Sequence, residues 1–223
     1  MLSAALMGIA DDFKLPSRPL PWERVEDGIP LKSVLQPKDN IRIKGGIAQE
    51  ILAIHEYVSK KPTLVEKDGQ YSVVHQDKKE VSYATSYLSK GFLMTDTLAT
   101  RTFVRQLIDR SLEPHGDFAW NVSLDVKEAR KDHPANWMTG FRGRKGNVDH
   151  GTLFGKDVGK DIVFGKELEK TQSPTVGWET NFFGTPMNVQ VTERGSVKVW
   201  AFPPVQLVIE FIQQEIMRYA VHL

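Results

Sequence analysis

The stretch from Gly140 to Lys170 limits the choice of fold more than any other part of the sequence. It is rich in glycine and lysine, and its apolar residues lack the regular spacing with which a helix or strand buries a wide face. A Gly-Lys-acid tripeptide occurs in it three times, beginning at Gly155, Gly159 and Gly165. We therefore predict a long polar loop or insertion over residues 137–170.

The composition is that of an ordinary folded chain. Of the 223 residues, 40% are hydrophobic and 26% are charged, which argues against disorder. The net charge is only +1, so any attraction to nucleic acid or to an anionic membrane must come from a local patch. Cysteine is absent, which excludes a disulfide scaffold, a thiolate metal site and a cysteine nucleophile.

The N-terminus does not resemble a secretory signal. Its short apolar run is not preceded by a positive charge, and acidic residues follow it directly. No apolar run approaches the roughly 20 residues that a membrane span needs. We therefore expect a soluble protein without a membrane span, either cytoplasmic or virion-associated.

The proline distribution divides the chain near residue 40. Five prolines lie in an early segment that has few regularly spaced apolar positions: Pro16, Pro19, Pro21, Pro30 and Pro37. Such a segment favours an extended path. We predict an extended N-terminal arm over residues 1–40, which either packs on its own domain or docks on a neighbouring subunit, and a single domain over residues 41–223.

The periodicity of that domain predicts the α+β class. Apolar spacing predicts three main helices, over residues 46–59, over residues 96–112 and from Val205 onward. Alternating residues predict strands at 81–88 and 118–126, and hairpins around residues 67–69 and 193–195. The expected fold is an antiparallel sheet with about three helices and the long Gly/Lys-rich insertion.

A basic segment with aromatic residues lies at the start of the predicted loop. It contains Trp137, Phe141, Arg142, Arg144 and Lys145. Guanidinium groups bind phosphates, and aromatic rings stack on unpaired bases. This pattern is typical of a nucleic-acid-binding module, although a solvated loop would have the same composition.

A second set of polar residues carries the chemistry of a metal site. Its members are imidazoles, carboxylates and one lysine: His115, Asp117, Asp125, Lys127, His133 and His150. Asp125-Val126-Lys127 also resembles the D-x-K half of the metal-dependent nuclease motif, which implies a metal-bound water. The histidines lack the H-x-x-x-H spacing that fixes two ligands toward one ion. A metal-dependent hydrolase or nuclease is therefore a further alternative.

The sequence contains no complete catalytic or cofactor motif. Gly151 and Gly155 are separated by one residue too few for a phosphate-binding loop, and Asp157 stands where its hydroxyl should be. A serine nucleophile elbow and a dinucleotide fingerprint are also missing. We therefore expect no cofactor, and we favour a non-enzymatic role over an enzymatic one.

The first functional hypothesis is a structural subunit of a larger complex, of the virion, phage-tail or nucleoprotein-particle type. The arm and the broad apolar stripe of the last helix would contact neighbouring chains in a homo- or hetero-oligomer. The predicted interface residues are Pro19, Trp22, Phe182, Phe183, Ile212, Ile216 and Tyr219.

Overall fold

The computed structural model describes residues 2–11, 13–15, 17–111, 118–200 and 202–222, and most of them lie in antiparallel strands. The strands are β1 (Leu2–Ile9), β2 (Leu20–Glu26), β3 (Ile29–Ile43), β4 (Gly46–Lys67), β5 (Gln70–Ser89), β6 (Phe92–Thr95), β7 (Ala119–Leu124), β8 (Asn136–Arg142), β9 (His150–Phe154), β10 (Thr175–Phe182), β11 (Thr185–Thr192), β12 (Ser196–Val199) and β13 (Ala220–His222). The predicted antiparallel sheet is confirmed, and it dominates the fold more than we expected.

The helices in the described part of the chain are short. They are α1 (Leu98–Ser111), α2 (Val126–Asp132), α3 (Gly165–Leu168) and α4 (Val205–Phe211). The chain continues α4 through a π-helical turn, Ile212–Ile216, and a 3-10 turn, Met217–Tyr219. Within the described residues, every helix is too short or too polar to cross a bilayer.

The strand order is β2-β3-β4-β5-β6-β1-β12-β11-β10-β8-β9, with β7 paired to β1 and β13 paired to β7. β1 lies in the middle of this sheet, and its residues 4–9 are buried. Both faces of β1 are covered, which explains why this short run is apolar without alternation. The segment predicted to be an arm is therefore extended, but its described residues supply strands β1, β2 and most of β3.

Two apolar cores cover the two faces of the sheet. On one face, α1 packs its buried Leu107 and Ile108 against Met7. On the other face, the C-terminal helix packs Ile209 and its neighbours against Leu6 and strands β10–β12. A third and smaller core joins β8 to the segment that contains α3.

The prediction of a helix over residues 46–59 is wrong. These residues form the first part of β4, which pairs with β3 on one edge and with β5 on the other. Ile51 is buried in the core, whereas Ile47 is exposed. The four-residue spacing of these isoleucines fits both the helical period and the strand period over a short window. Their β-branched side chains favour the strand.

The other predicted elements agree better with the structure. α1, β7, the C-terminal helix and the two hairpins lie at the predicted places. The stretch predicted to be loop contains β9 and α3 as well, and this prediction is corrected. Phe141, Val158 and Leu168 form the small third core that holds this region to β8.

Candidate functional site

The hairpin of β4 and β5 extends beyond the sheet as a two-stranded ribbon, formed by residues 56–67 and 70–81. β3 pairs with β4 only as far as Ser33 and His55. Beyond that point the two strands pair continuously with each other up to Lys67 and Gln70. Twelve residues of extended chain span roughly 40 Å. The ribbon is therefore as long as a small domain is wide.

A positive-φ turn and a carboxylate define the two ends of the ribbon. Asp68 and Gly69 have φ of 53° and 75°, the signs that a type I′ hairpin turn requires. At the root, the Glu56 carboxylate accepts a hydrogen bond from the Lys32 backbone N–H at 2.6 Å and pairs with Lys79 at 2.6 Å. Both contacts lower the pKa of Glu56, the Lys79 contact more. Glu56 thus attaches the ribbon to the β2–β3 hairpin.

One face of the ribbon carries several exposed apolar side chains. Directly opposite partners share a face, so the register of β4 and β5 assigns every side chain to one side. The large exposed hydrophobic residues of this apolar ribbon face are Leu64, Tyr71, Val73 and Val81, and Tyr83 continues the row just beyond the root of the ribbon.

The opposite face of the ribbon is mainly polar. There Lys61 pairs with Glu80 at 2.9 Å, and the Tyr57 hydroxyl donates to the same carboxylate at 3.1 Å. These contacts lower the pKa of Glu80, through Lys61 first and Tyr57 next. The ribbon is therefore amphipathic, and no part of the chain that the structure describes covers either face along its outer half.

Two opposite charges lie halfway along the apolar ribbon face. Lys60 and Asp77 are direct partners across the strands, and both are exposed. Neither forms an ion pair of 4.0 Å or less with any residue that the structure describes. The same face also carries Glu66 beside Tyr71 at the tip and the Glu56–Lys79 ion pair near the root. It thus presents apolar areas near the tip and near the root, with Lys60 and Asp77 between them.

The C-terminal residues predicted to contact a neighbouring chain are buried inside this one. Ile212 and Ile216 are fully buried in the core, and Tyr219 is 4% exposed. Phe182 is also buried, and its ring packs on Phe211 at 5.3 Å between centroids. The prediction of an interface on this helix is corrected, because its broad apolar stripe packs against the chain's own sheet.

The other predicted interface residues lie at the surface. Pro19 is exposed, and Trp22 is half-buried with the Arg24 guanidinium 4.8 Å from its ring centroid. Phe183 is 56% exposed and has φ of 47°, an unusual value for an aromatic residue. With Gly184 it forms the turn between β10 and β11.

The predicted nucleic-acid-binding residues do not form one basic surface. Phe141 is buried and cannot stack on a base. Arg142 pairs with Glu193 at 2.9 Å, and Arg144 pairs with Glu167 at 2.6 Å. Lys145 is exposed. The two guanidinium groups already have carboxylate partners, which reduces their attraction for phosphate.

Trp137 belongs to a cluster of aromatic rings. Its ring lies 6.3 Å from Phe154 and 5.4 Å from Trp200, measured between centroids. It also covers Gly177, where an added Cβ would come within 2.8 Å of the indole. The tryptophan thus packs on a position that only glycine fills without displacement.

The residues of the predicted metal site that the structure describes take part in separate contacts. Asp125 caps α2, and its carboxylate accepts a hydrogen bond from the Glu128 N–H at 2.9 Å. His150 is exposed and contacts Asp149 at 2.6 Å. No group of three metal-ligating side chains occurs within the described residues. His115 and Asp117 lie outside those residues.

His133 belongs to a polar network at the C-terminal helix. Its ring stacks on Trp178 at 4.2 Å, and burial followed by the nearby Arg218 lowers its pKa. The Tyr219 hydroxyl donates to Asp132 at 2.8 Å. Burial and then this hydrogen bond raise the pKa of Tyr219 to about 12. The network holds α2 against the end of the C-terminal helix.

The Asp68-Gly69 turn predicted the hairpin at the tip of the ribbon. The length of the ribbon was missed, because residues 46–59 were interpreted as a helix. Comparisons with protein-family models, with curated proteins and with solved structures found no match to this chain.

Proposed function

We propose that this chain is a non-enzymatic structural subunit of a larger assembly, and that the ribbon joins it to a second copy of itself. The observation that carries the proposal is the apolar ribbon face. The proposal keeps the particle types expected from the sequence, namely a virion, a phage tail or a nucleoprotein particle. It moves the contact from the C-terminal helix to the β4–β5 ribbon.

The exposure of the ribbon supports a partner. An isolated two-stranded ribbon is at best marginally stable in water, because it has no third strand or helix to cover it. Contiguous exposed apolar side chains on a folded chain mark contact surfaces. Leu64, Val73 and Tyr71 lie together near the tip, where no other part of the described chain reaches them. A partner on this face would bury them.

The arrangement of charges supports a second copy as that partner. Consider two ribbons packed face to face about a twofold axis that runs along their length. Each β4 then lies over β5 of the other copy. Leu64 meets Val73 of the second copy, and Lys60 meets Asp77 of the second copy. One surface thus complements itself in both apolar area and charge, as an isologous contact requires.

The open edges of the sheet support further contacts. β2 and β9 end the strand order, so each leaves one row of backbone groups without a neighbouring strand among the described residues. Pro19 and Trp22 lie at or beside the β2 edge, and Phe183 lies at the tip of the β10–β11 hairpin. Contacts at these places would extend a ribbon-linked pair into a larger particle.

The experiment measures the mass of the particle in solution by light scattering, at two protein concentrations and two salt concentrations. We expect a mass above that of the monomer. Lys60→Glu should shift it toward the monomer, because acids then face each other across the twofold axis. The exchange Lys60→Asp with Asp77→Lys should restore association, because it restores opposite charges.

Lys78→Glu is the matched control for this charge reversal. Lys78 is exposed at the same height of the ribbon but lies on the other face. It should leave the mass unchanged. A monomer under all conditions, or equal effects of the changes at Lys60 and Lys78, would contradict the proposal.

A further inference from the structure

A cavity of about 270 Å³ lies between α2 and the segment that contains α3. Its lining includes four cationic side chains and one carboxylate. The cations are Lys127, Arg130, Lys131 and Lys160, and the carboxylate is Glu169. The excess of positive charge distinguishes this cavity from the chain as a whole, which is nearly neutral.

The spacing within α2 places three of the cations on one side of that helix. Lys127, Arg130 and Lys131 stand at positions i, i+3 and i+4, which are neighbours on a helix surface. Lys160 comes from the facing segment, where it is the last residue of the 3-10 turn at residues 158–160. Two separate parts of the chain therefore contribute cations to one cavity.

Arg130 is held in a fixed position by the opposite wall. Its Nη1 donates to the Leu168 carbonyl at 3.0 Å and to the Ser173 hydroxyl at 2.9 Å. Burial lowers the pKa of this guanidinium, and the Glu169 charge partly opposes that effect. Both acceptors are uncharged oxygens, so the positive charge of Arg130 is not neutralised by them.

The remaining cations are only partly balanced. Lys131 pairs with Glu128 at 2.7 Å. Lys127 and Lys160 form no ion pair of 4.0 Å or less with any described residue. Like charges gathered at one cavity repel one another, and a bound anion reduces that repulsion.

We propose that this cavity binds an oxyanion of the phosphate class. Guanidinium and ammonium donors from two directions suit the several acceptor oxygens of a phosphate group. The volume lies just below the usual range for small-molecule sites, so it suits the phosphate and only part of a larger ligand. The phosphate comes either from a small molecule or from a nucleic-acid backbone.

The first test is isothermal titration calorimetry of the full chain with inorganic phosphate at low salt. We expect one saturable site. The double variant Lys127→Gln/Lys160→Gln should weaken binding by about a hundredfold, because each of the two lost charge-assisted hydrogen bonds is worth about tenfold. Arg130 is kept, so its contacts to α3 and Ser173 remain and folding should be preserved.

The matched control is the double variant Lys78→Gln/Lys166→Gln. It removes the same charge from two exposed lysines that do not line the cavity, and it should leave phosphate binding unchanged. Absence of phosphate binding in the original chain would overturn the proposal. So would equal weakening by the two double variants.

A second arm identifies the source of the phosphate. A short single-stranded oligonucleotide without terminal phosphates is titrated alone and in competition with inorganic phosphate. Mutual competition that requires Lys127 and Lys160 assigns the site to a phosphodiester backbone. Binding of inorganic phosphate without such competition assigns it to a small phosphate-bearing molecule.

Discussion

Leu64 and Val73 lie directly opposite each other near the tip of the ribbon, and they are 66% and 62% exposed. The pair is more than 10 residues along the chain from the buried part of either strand. These two side chains therefore contribute little to the stability of the protomer. The folding of a single chain does not explain why both are apolar.

The first prediction concerns this pair. The variant Leu64→Ser/Val73→Ser should change the unfolding free energy of the protomer by only about 0.5 kcal/mol, because both sites are exposed. It should weaken self-association by about ten-thousandfold or more, since each copy loses two side chains whose burial is worth about 1.5–3 kcal/mol each. Light scattering and chemical denaturation measure the two effects.

Ile162→Ser/Val163→Ser is the control for that variant. These residues are 94% and 68% exposed, and they lie in the turn that precedes α3 rather than in the ribbon. The control should leave self-association unchanged. If both variants dissociate the particle equally, the ribbon has no special role.

The second prediction concerns the strained turn at Phe183. Asn tolerates positive φ better than Phe, so Phe183→Asn should remove about 1 kcal/mol of backbone strain. It also removes the contact of the Lys44 ammonium with the ring, 4.4 Å from the centroid, which is worth about 0.5–1 kcal/mol. We expect protomer stability to be unchanged or slightly raised, and assembly to be weakened.

Thermal unfolding and light scattering test the prediction on Phe183 together. Asp68→Asn in the ribbon turn is the control, because Asp68 also has positive φ but carries no ring. A large loss of protomer stability in Phe183→Asn would show that this ring serves packing alone.

The third prediction concerns pH. The pKa of His133 lies below the ordinary value for a histidine, because burial and then Arg218 disfavour the imidazolium. The unfolded chain therefore binds this proton more readily, so stability falls as pH decreases through 6.5 and levels off below the folded-state pKa. His55 has a lowered pKa from burial and acts in the same direction.

Chemical denaturation at several pH values between 5 and 8 measures this dependence. His133→Gln should flatten the slope without abolishing it, because His55 remains. His150→Gln is the control, since His150 is exposed. An unchanged slope in His133→Gln would contradict the prediction.

The fourth prediction concerns Arg101, which is 9% exposed. Its Nη1 donates to the Leu6 carbonyl at 2.9 Å and to the Arg194 carbonyl at 2.8 Å. It thereby links α1 to β1 and to the β11–β12 turn. Arg101→Met should destabilise the protomer by about 1–3 kcal/mol, because it leaves buried carbonyl groups without donors.

Arg105→Met on the same helix is the control for Arg101. Arg105 is more exposed, and its ion pair within the described residues is with Asp109 four residues away, at 3.5 Å. Such surface pairs are worth about 0.3–0.5 kcal/mol. Equal destabilisation by the two variants would show that the buried contacts of Arg101 stabilise the protomer no more than a surface ion pair does.

Local chemistry made several elements predictable from the sequence. Leu107 and Ile108 follow the helical period, and they lie on the buried side of α1. Asp68-Gly69 supports positive φ at both turn positions, so the hairpin around it was predicted correctly. In these cases the residues that decide the conformation are close together in the chain.

Only the tertiary structure decided the conformation of residues 46–59 and the fate of the candidate site residues. Ile51 fits a helix or a strand, and pairing with β3 and β5 selects the strand. The apolar side chain of Ile212 could be buried against a partner or against the chain's own sheet, and in the structure it packs against the sheet. Arg142 was predicted to bind phosphate, but Glu193, 51 residues away, pairs with it. Long-range pairing and burial depend on residues far apart in the chain, which no local pattern encodes.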